Sequence, residues 1–195
     1  TDKELPSTDI SLYSLRPYAL KPDTSSKRIN QYPLAIANGI LSRRFGILAK
    51  EEGSLILSGS ASRSTYFNMI EQGGIEVTPT EGKWKEAVPV LEQELRRAIQ
   101  YGFTEAELEE IKANLINSYE LSVKAEPSRK TNDLASSLAR HVHKDAVFST
   151  PADDLAILQE NISSITPETC HRALTEFWDT EDITLVLTTN EALEN

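Results

Sequence analysis

Three histidines and one cysteine are the side chains of this chain best suited to metal binding or nucleophilic chemistry. His141 and His143 share the stretch RHVHKDAV, where a long helical pattern runs out. Paired imidazoles raise the question of zinc. Residues two apart on a helix point about 200° apart, however, because a turn takes about 3.6 residues. A zinc-binding helix needs ligands at steps of three or four, as in His-Glu-x-x-His or His-x-x-Glu-His. Neither pattern occurs. The pair reads as a polar helix end, where a protonated histidine favours the negative end of the dipole. No metal ligand and no catalytic residue is assigned on this reading.

Cys170 and His171 are adjacent, so a helix aims them about 100° apart. Cys170 falls on an apolar stripe and reads as a small buried hydrophobe, and His171 as exposed. A rival reading makes the chain a small enzyme that uses Cys170 or His171. The acidic run TEAELEE suits a helix start, where negative charge is favourable, better than acid–base work. GSAS lacks the second glycine of a nucleophile elbow. No phosphate-binding loop or dinucleotide fingerprint is present. Trp84 and Trp178 read as packing residues, and the pairs Arg43-Arg44 and Arg96-Arg97 as solvated helix faces.

These side chains must be positioned by a chain of 195 residues, 39% hydrophobic and 26% charged, long enough to bury a core. Thirty acidic against twenty basic residues give a net charge of -10 and argue against nucleic-acid binding. One cysteine permits no internal disulfide. No run approaches the ~18 apolar residues that span a membrane. The chain opens on Thr1 without a methionine, which reads as a processed chain or an excised fragment.

The first strand is expected in TDISLYSLRPYAL, with Ile10, Leu12 and Ser14 on one face and Ser11, Tyr13 and Leu15 on the other. A helix over 26–50 carries Leu34, Ile36, Asn38, Leu41, Phe45 and Leu48, and Gly53 follows its end. Leu55–Leu57 and Ile75–Val77 form a hairpin, with Gly73-Gly74 supplying the reversal. The small, polar SGSASRS between them reads as a bulge, a bend or a strand that another backbone approaches. A helix follows Gly82, with Pro89 expected to kink it or delay its start. Thr104 and Glu107 form a capping box for the next helix, striped by Leu108, Ile111, Leu115 and Tyr119. A helix over 128–143 turns Leu134, Leu138 and Val142 inward. Thr150-Pro151 and Thr166-Pro167 each open a shorter helix, and DITLVLTT is the last strand. This order predicts an α+β fold: a mainly antiparallel sheet of four or more strands with helices packed on one face. The chain reads as one domain over 1–195, with about the first eight and last six residues frayed.

Three segments carry a family resemblance: ANGILSRRFGILAKEEGS, EVTPTEGKWKEAVPVLEQELRRAIQYGFTEAELEEIKANLI and SLARHVHKDAVFSTPADDLAILQENISSITPE. In order and spacing they resemble the pitrilysin/insulinase-type zinc metallopeptidases, built from tandem homologous α+β domains. The resemblance implies strands in βαββ-helices-β order. Active first domains of that family hold zinc through His-x-x-Glu-His and a distal glutamate. Those residues are absent, so no catalytic residue is carried over. Some non-catalytic domains place an Arg and a Tyr seven positions apart across the helix-to-strand turn. Here the matching positions are Ala49 and Ile56. Arg43 and Arg44 are followed at seven residues by Lys50 and Glu51.

The resemblance therefore implies a non-catalytic domain of a multidomain zinc peptidase. No cofactor is expected in this chain, and zinc is expected in a catalytic domain of the parent. The partners implied are sister domains of the same parent and an extended peptide substrate, in an exported, periplasmic parent. Ser58, Gly59, Ser60, Ala61 and Ser62 are the candidate substrate-binding residues, since small side chains let a peptide add to a strand. The competing reading packs that strand against a neighbouring sheet or helix. A scaffold or processing-core subunit that has lost peptidase activity is the alternative role.

Overall fold

A computed structural model describes residues 4–5, 7–180 and 182–190. Strand β1 (Asp9–Pro17) leads through α1 (Ser25–Ile29) into α2 (Tyr32–Leu48), and then into the hairpin β2 (Ile56–Tyr66) and β3 (Ile70–Pro79). Helices α3 (Trp84–Tyr101), α4 (Glu105–Ala125), α5 (Thr131–His143), α6 (Pro151–Asn161) and α7 (Pro167–Trp178) follow, and β4 (Ile183–Thr188) closes the order. The strands form one antiparallel sheet in the order β2-β3-β1-β4. This is the α+β architecture expected from the element order.

The pleat of β1 explains why helices cover one face. Ile10 pairs with Val77 and Leu12 with Ile75, and directly opposed residues share a face. Ile10, Ile75 and Val77 are fully buried there, beneath Phe45 and Leu41 of α2, Leu91 of α3 and Leu174 of α7. Ser11, Tyr13 and Leu15 take the other face, as the alternation predicts. Leu108 of α4 and Leu158 of α6 extend the core outward from α2. At the start of the sheet, Thr8 is buried and shares a 2.8 Å hydroxyl contact with Thr189. Asn190 donates to the Leu5 carbonyl. The expected fraying at 191–195 lies outside the described residues.

Four expectations need correction. The helix over 26–50 is interrupted after Ile29, and α2 begins at Tyr32 with Pro33 in its first turn, where the missing N–H is harmless. The hairpin reverses at Phe67 and Asn68, with φ of 54° and 55°, and not at Gly73-Gly74. The glycines instead admit side chains: a Cβ on Gly73 would lie 2.2 Å from Phe177 Cε1, and one on Gly74 would lie 3.2 Å from Tyr13 Cε1. Helix α3 starts ahead of Pro89, so the late start does not occur, and Pro89 lies inside the helix on its exposed side. In α5, Leu134 is half-buried, but Leu138 is 41% and Val142 81% exposed. An amphipathic pattern fixes which stripe is apolar, and only tertiary packing decides whether anything covers it.

Candidate functional site

Two of the three imidazoles and the thiol are committed locally. The Nδ1–H of His141 donates to the Ser137 carbonyl at 2.7 Å, and its ring meets Phe148 edge-on at 5.2 Å. His143 is exposed at the end of α5. His171 is half-buried and not exposed as expected. Its Nε2–H donates to the Ile99 carbonyl at 2.7 Å, satisfying an acceptor at the end of α3. Gly102 makes room for that ring, since a Cβ there would sit 3.1 Å from His171 Cγ. Cys170 is fully buried on the core-facing stripe of α7, and burial pushes its thiol up to about 11. A thiol held that high supplies almost no thiolate near neutral pH. Among the described residues no group of three His, Cys, Asp or Glu side chains could hold a metal ion. The residues present do not fit a zinc site.

The charged side chains instead tie elements together. Arg44 was expected on a solvated face but is 9% exposed. Its Nε donates to Glu107 Oε1 at 2.6 Å, and its Nη2 donates to Glu107 Oε2 and the Gly102 carbonyl, each at 3.0 Å. This clips α2 to the corner between α3 and α4. Burial alone would raise the Glu107 pKa. It is outweighed by hydrogen bonds from Arg44, from the Thr104 amide and from the Thr104 hydroxyl, which hold Glu107 at about 2. Arg43 pairs with Glu110 at the surface, and Arg96 and Arg97 stay solvated as predicted. Across the helix-covered end of the sheet, Glu71 lies between two guanidiniums, Arg16 at 3.3 Å and Arg63 at 2.6 Å.

The candidate substrate-binding residues lie on β2, an edge strand of the sheet. The structure divides them. Ser58, Ser60 and Ser62 are exposed, whereas Gly59 and Ala61 are half-buried toward α2. A Cβ on Gly59 would come within 2.8 Å of Phe45 and 2.9 Å of Val77. The Ala61 amide donates to Ser42 Oγ of α2 at 2.9 Å, and the same hydroxyl lies 3.4 Å from the Ala61 carbonyl. In an antiparallel ladder, alternate residues aim their backbone groups at opposite neighbours. The Ala61 groups therefore point away from β3, and so do those of Arg63 and Thr65. Ser42 occupies the edge at Ala61. Beyond it the edge opens at 63–66, beside a cleft walled by α1 and the segment after α5. Spacing alone gave no sign of this, because the partner of Ala61 lies 19 residues away on a helix.

Comparison with known proteins agrees with this architecture. No curated protein matches by sequence. The first half of the periplasmic protease PqqL from Escherichia coli superimposes with a TM-score of 0.88 at 19% identity. That match covers 98% of this chain and 41% of the other. The complete PqqL chain gives the same score and identity over 97% of this chain and 21% of its own length. A peptidase M16 inactive domain from Pseudomonas fluorescens gives 0.64 at 14% identity, covering 92% and 40%. The present chain thus spans less than half the length of these relatives. The description "Peptidase M16 inactive domain" matches residues 18–115, half of the sequence. With its sheet and its helical layer, the chain belongs to the peptidase M16 inactive domain family.

Proposed function

We propose that this non-catalytic domain serves a longer zinc peptidase by forming part of the wall of its peptide-holding chamber. It packs against sister domains and lends the edge of β2 to an extended substrate. Zinc and the attacking water are supplied by a catalytic domain elsewhere in the parent, which works in the periplasm. The observation that carries this reading is the match to an inactive domain in a chain whose His141, His171 and Cys170 are each spent on local packing or hydrogen bonds. The open edge at Arg63 and Thr65 supports the peptide role, since backbone pairing there needs no side-chain chemistry.

Two measurements test it. Metal analysis of the purified chain is expected to find no stoichiometric zinc, with no cleavage of a fluorogenic peptide. One tightly held zinc per chain, or hydrolysis lost on Cys170→Ala or His171→Ala, sinks the non-catalytic reading. A capped neutral peptide, Val-Gln-Val-Gln-Val-Gln, is expected to shift the backbone amide resonances of β2. Shifts confined to other elements remove β2 from the chamber role.

A further inference from the structure

The open end of β2 faces a cleft whose charge runs against that of the whole chain. Two adjoining hollows, of about 710 and 450 Å³, share Tyr18, Lys27, Gln31 and Arg63 along their walls. Their ionisable lining comprises Lys21, Lys27, Arg63 and Lys144 against Asp23 and Glu71. Both carboxylates already hold guanidinium partners, although Arg28 divides its charge between Asp23 and Asp154. Asp23 accepts from Arg28 Nη2 at 2.5 Å, and Glu71 is shared by Arg16 and Arg63. Lys27 donates to the Lys21 carbonyl at 2.8 Å. Among the described residues, Lys21, Lys27 and Lys144 enter no ion pair. A chain of net charge -10 thus gathers three ammonium groups around two adjoining hollows, with no described carboxylate within ion-pair distance of any of them.

The four basic residues come from four separate segments: the linker after β1, α1, β2 and the turn after α5. A solvated helix face would draw its charges from one element. These instead converge on the stretch of edge where the backbone groups of Arg63 and Thr65 point outward. Polar Tyr18, Gln31, Ser64 and Asn68 also line the cleft, beside apolar Leu20 and Ala146. Cations flanking an unpaired strand edge match one kind of ligand. Its backbone would pair with the strand, and every second side chain would carry a carboxylate toward the lysines.

We propose that this cleft selects extended peptide segments rich in Asp or Glu, pairing them with β2 at Arg63 and Thr65 and neutralising their carboxylates with Lys21, Lys27 and Lys144. The inference rests on the peptide role proposed above and adds a substrate class to it. At about 0.15 M salt the Debye length is about 8 Å, so the distant acidic surface is screened while lysines lining the cleft still act.

The probes are three capped, fluorescein-labelled peptides: Val-Glu-Val-Glu-Val-Glu, its Gln counterpart and its Lys counterpart. Fluorescence anisotropy with the intact chain is expected to rank Glu above Gln above Lys. The Glu peptide should lose about tenfold in affinity between 0.05 and 0.5 M NaCl, with the Gln peptide nearly insensitive. Lys27→Gln with Lys144→Gln should weaken the Glu peptide about tenfold and leave the Gln peptide within about twofold. Circular dichroism checks the fold of that variant, and the salt series on the unmodified chain tests the idea without any variant. Equal affinities for the Glu and Gln peptides, with β2 amides still shifting, overturn the acidic preference and leave the strand-edge role standing. Failure of all three peptides to bind overturns both.

Discussion

Gly73 carries no side chain because Phe177 occupies the space one would fill. The ring cannot step aside easily. Phe177 is 6% exposed, Arg16 stacks on it at 3.8 Å, and the Arg16 guanidinium also donates to the Phe177 carbonyl. Gly73→Ala is therefore an overpacking change, expected to cost about 1–3 kcal/mol and to lower the melting temperature by about 2–12 °C. Combining it with Phe177→Leu should give a loss smaller than the sum of the two single losses. Additive losses in that cycle would mean the strain is relieved elsewhere. Cys170 makes a second test at this scale. Burial chiefly holds its thiol high, and Lys112 and Thr169 only partly oppose it. A disulfide-exchange reagent at pH 8 should label less than a few percent of the native chain over minutes and all of it in urea. Its midpoint should coincide with unfolding followed by circular dichroism. Rapid labelling without denaturant would reopen the thiol as a nucleophile.

Elements were legible in the sequence wherever the deciding chemistry is local. Thr104 with Glu107 forms the expected capping box, and Thr150-Pro151 and Thr166-Pro167 open α6 and α7 through the same device. The alternation of β1 gave its two faces for the same reason. What stayed hidden depends on distant partners. Gly73 looked like a turn residue, yet its neighbour is Phe177 from the far end of the chain, and the turn fell to Phe67 and Asn68. The α5 stripe could be read but not its exposure, and the β2 edge could be read as small but not as blocked by Ser42 at Ala61. The basic cleft was equally invisible, since no single segment holds more than a part of it. Leu115, expected inward, is half-buried, so Leu115→Ala should cost less than the ~2–5 kcal/mol of a fully buried leucine. A sharper contrast separates two helices. Val142→Ser should change unfolding free energy by less than about 0.5 kcal/mol, while Leu158→Ala should cost about 2–5 kcal/mol. Urea denaturation measures both. A comparable loss at Val142 would show that α5 packs against something in solution.

At the scale of the molecule, ion pairs span the chain and make its stability depend on acid. Arg44 joins Glu107 across 63 residues, and Arg28 holds Asp23 while reaching Asp154 across 126 residues. Hydrogen bonding from Arg28 is the main reason the Asp23 carboxyl lies below its ordinary value. Glu107 is held at about 2 against an ordinary 4.5. A carboxylate with a folded pKa below its unfolded one binds fewer protons when folded. The stabilisation is then fully present above the unfolded value and is lost as pH falls through the folded value. For Glu107 that window runs from 4.5 down to about 2. Glu107→Gln keeps an amide able to complete the capping box with Thr104 but removes the charge that Arg44 needs. Water still reaches part of the pair, so the expected loss at pH 7 is only about 1–2 kcal/mol. The difference from the parent chain should shrink between pH 4.5 and 2 and vanish below that range. Urea titrations at pH 7, 4.5, 3 and 2 follow it directly. A constant difference at all four values would assign the loss to packing and not to charge, and α2 would then be held to the α3–α4 corner by the buried stem of Arg44.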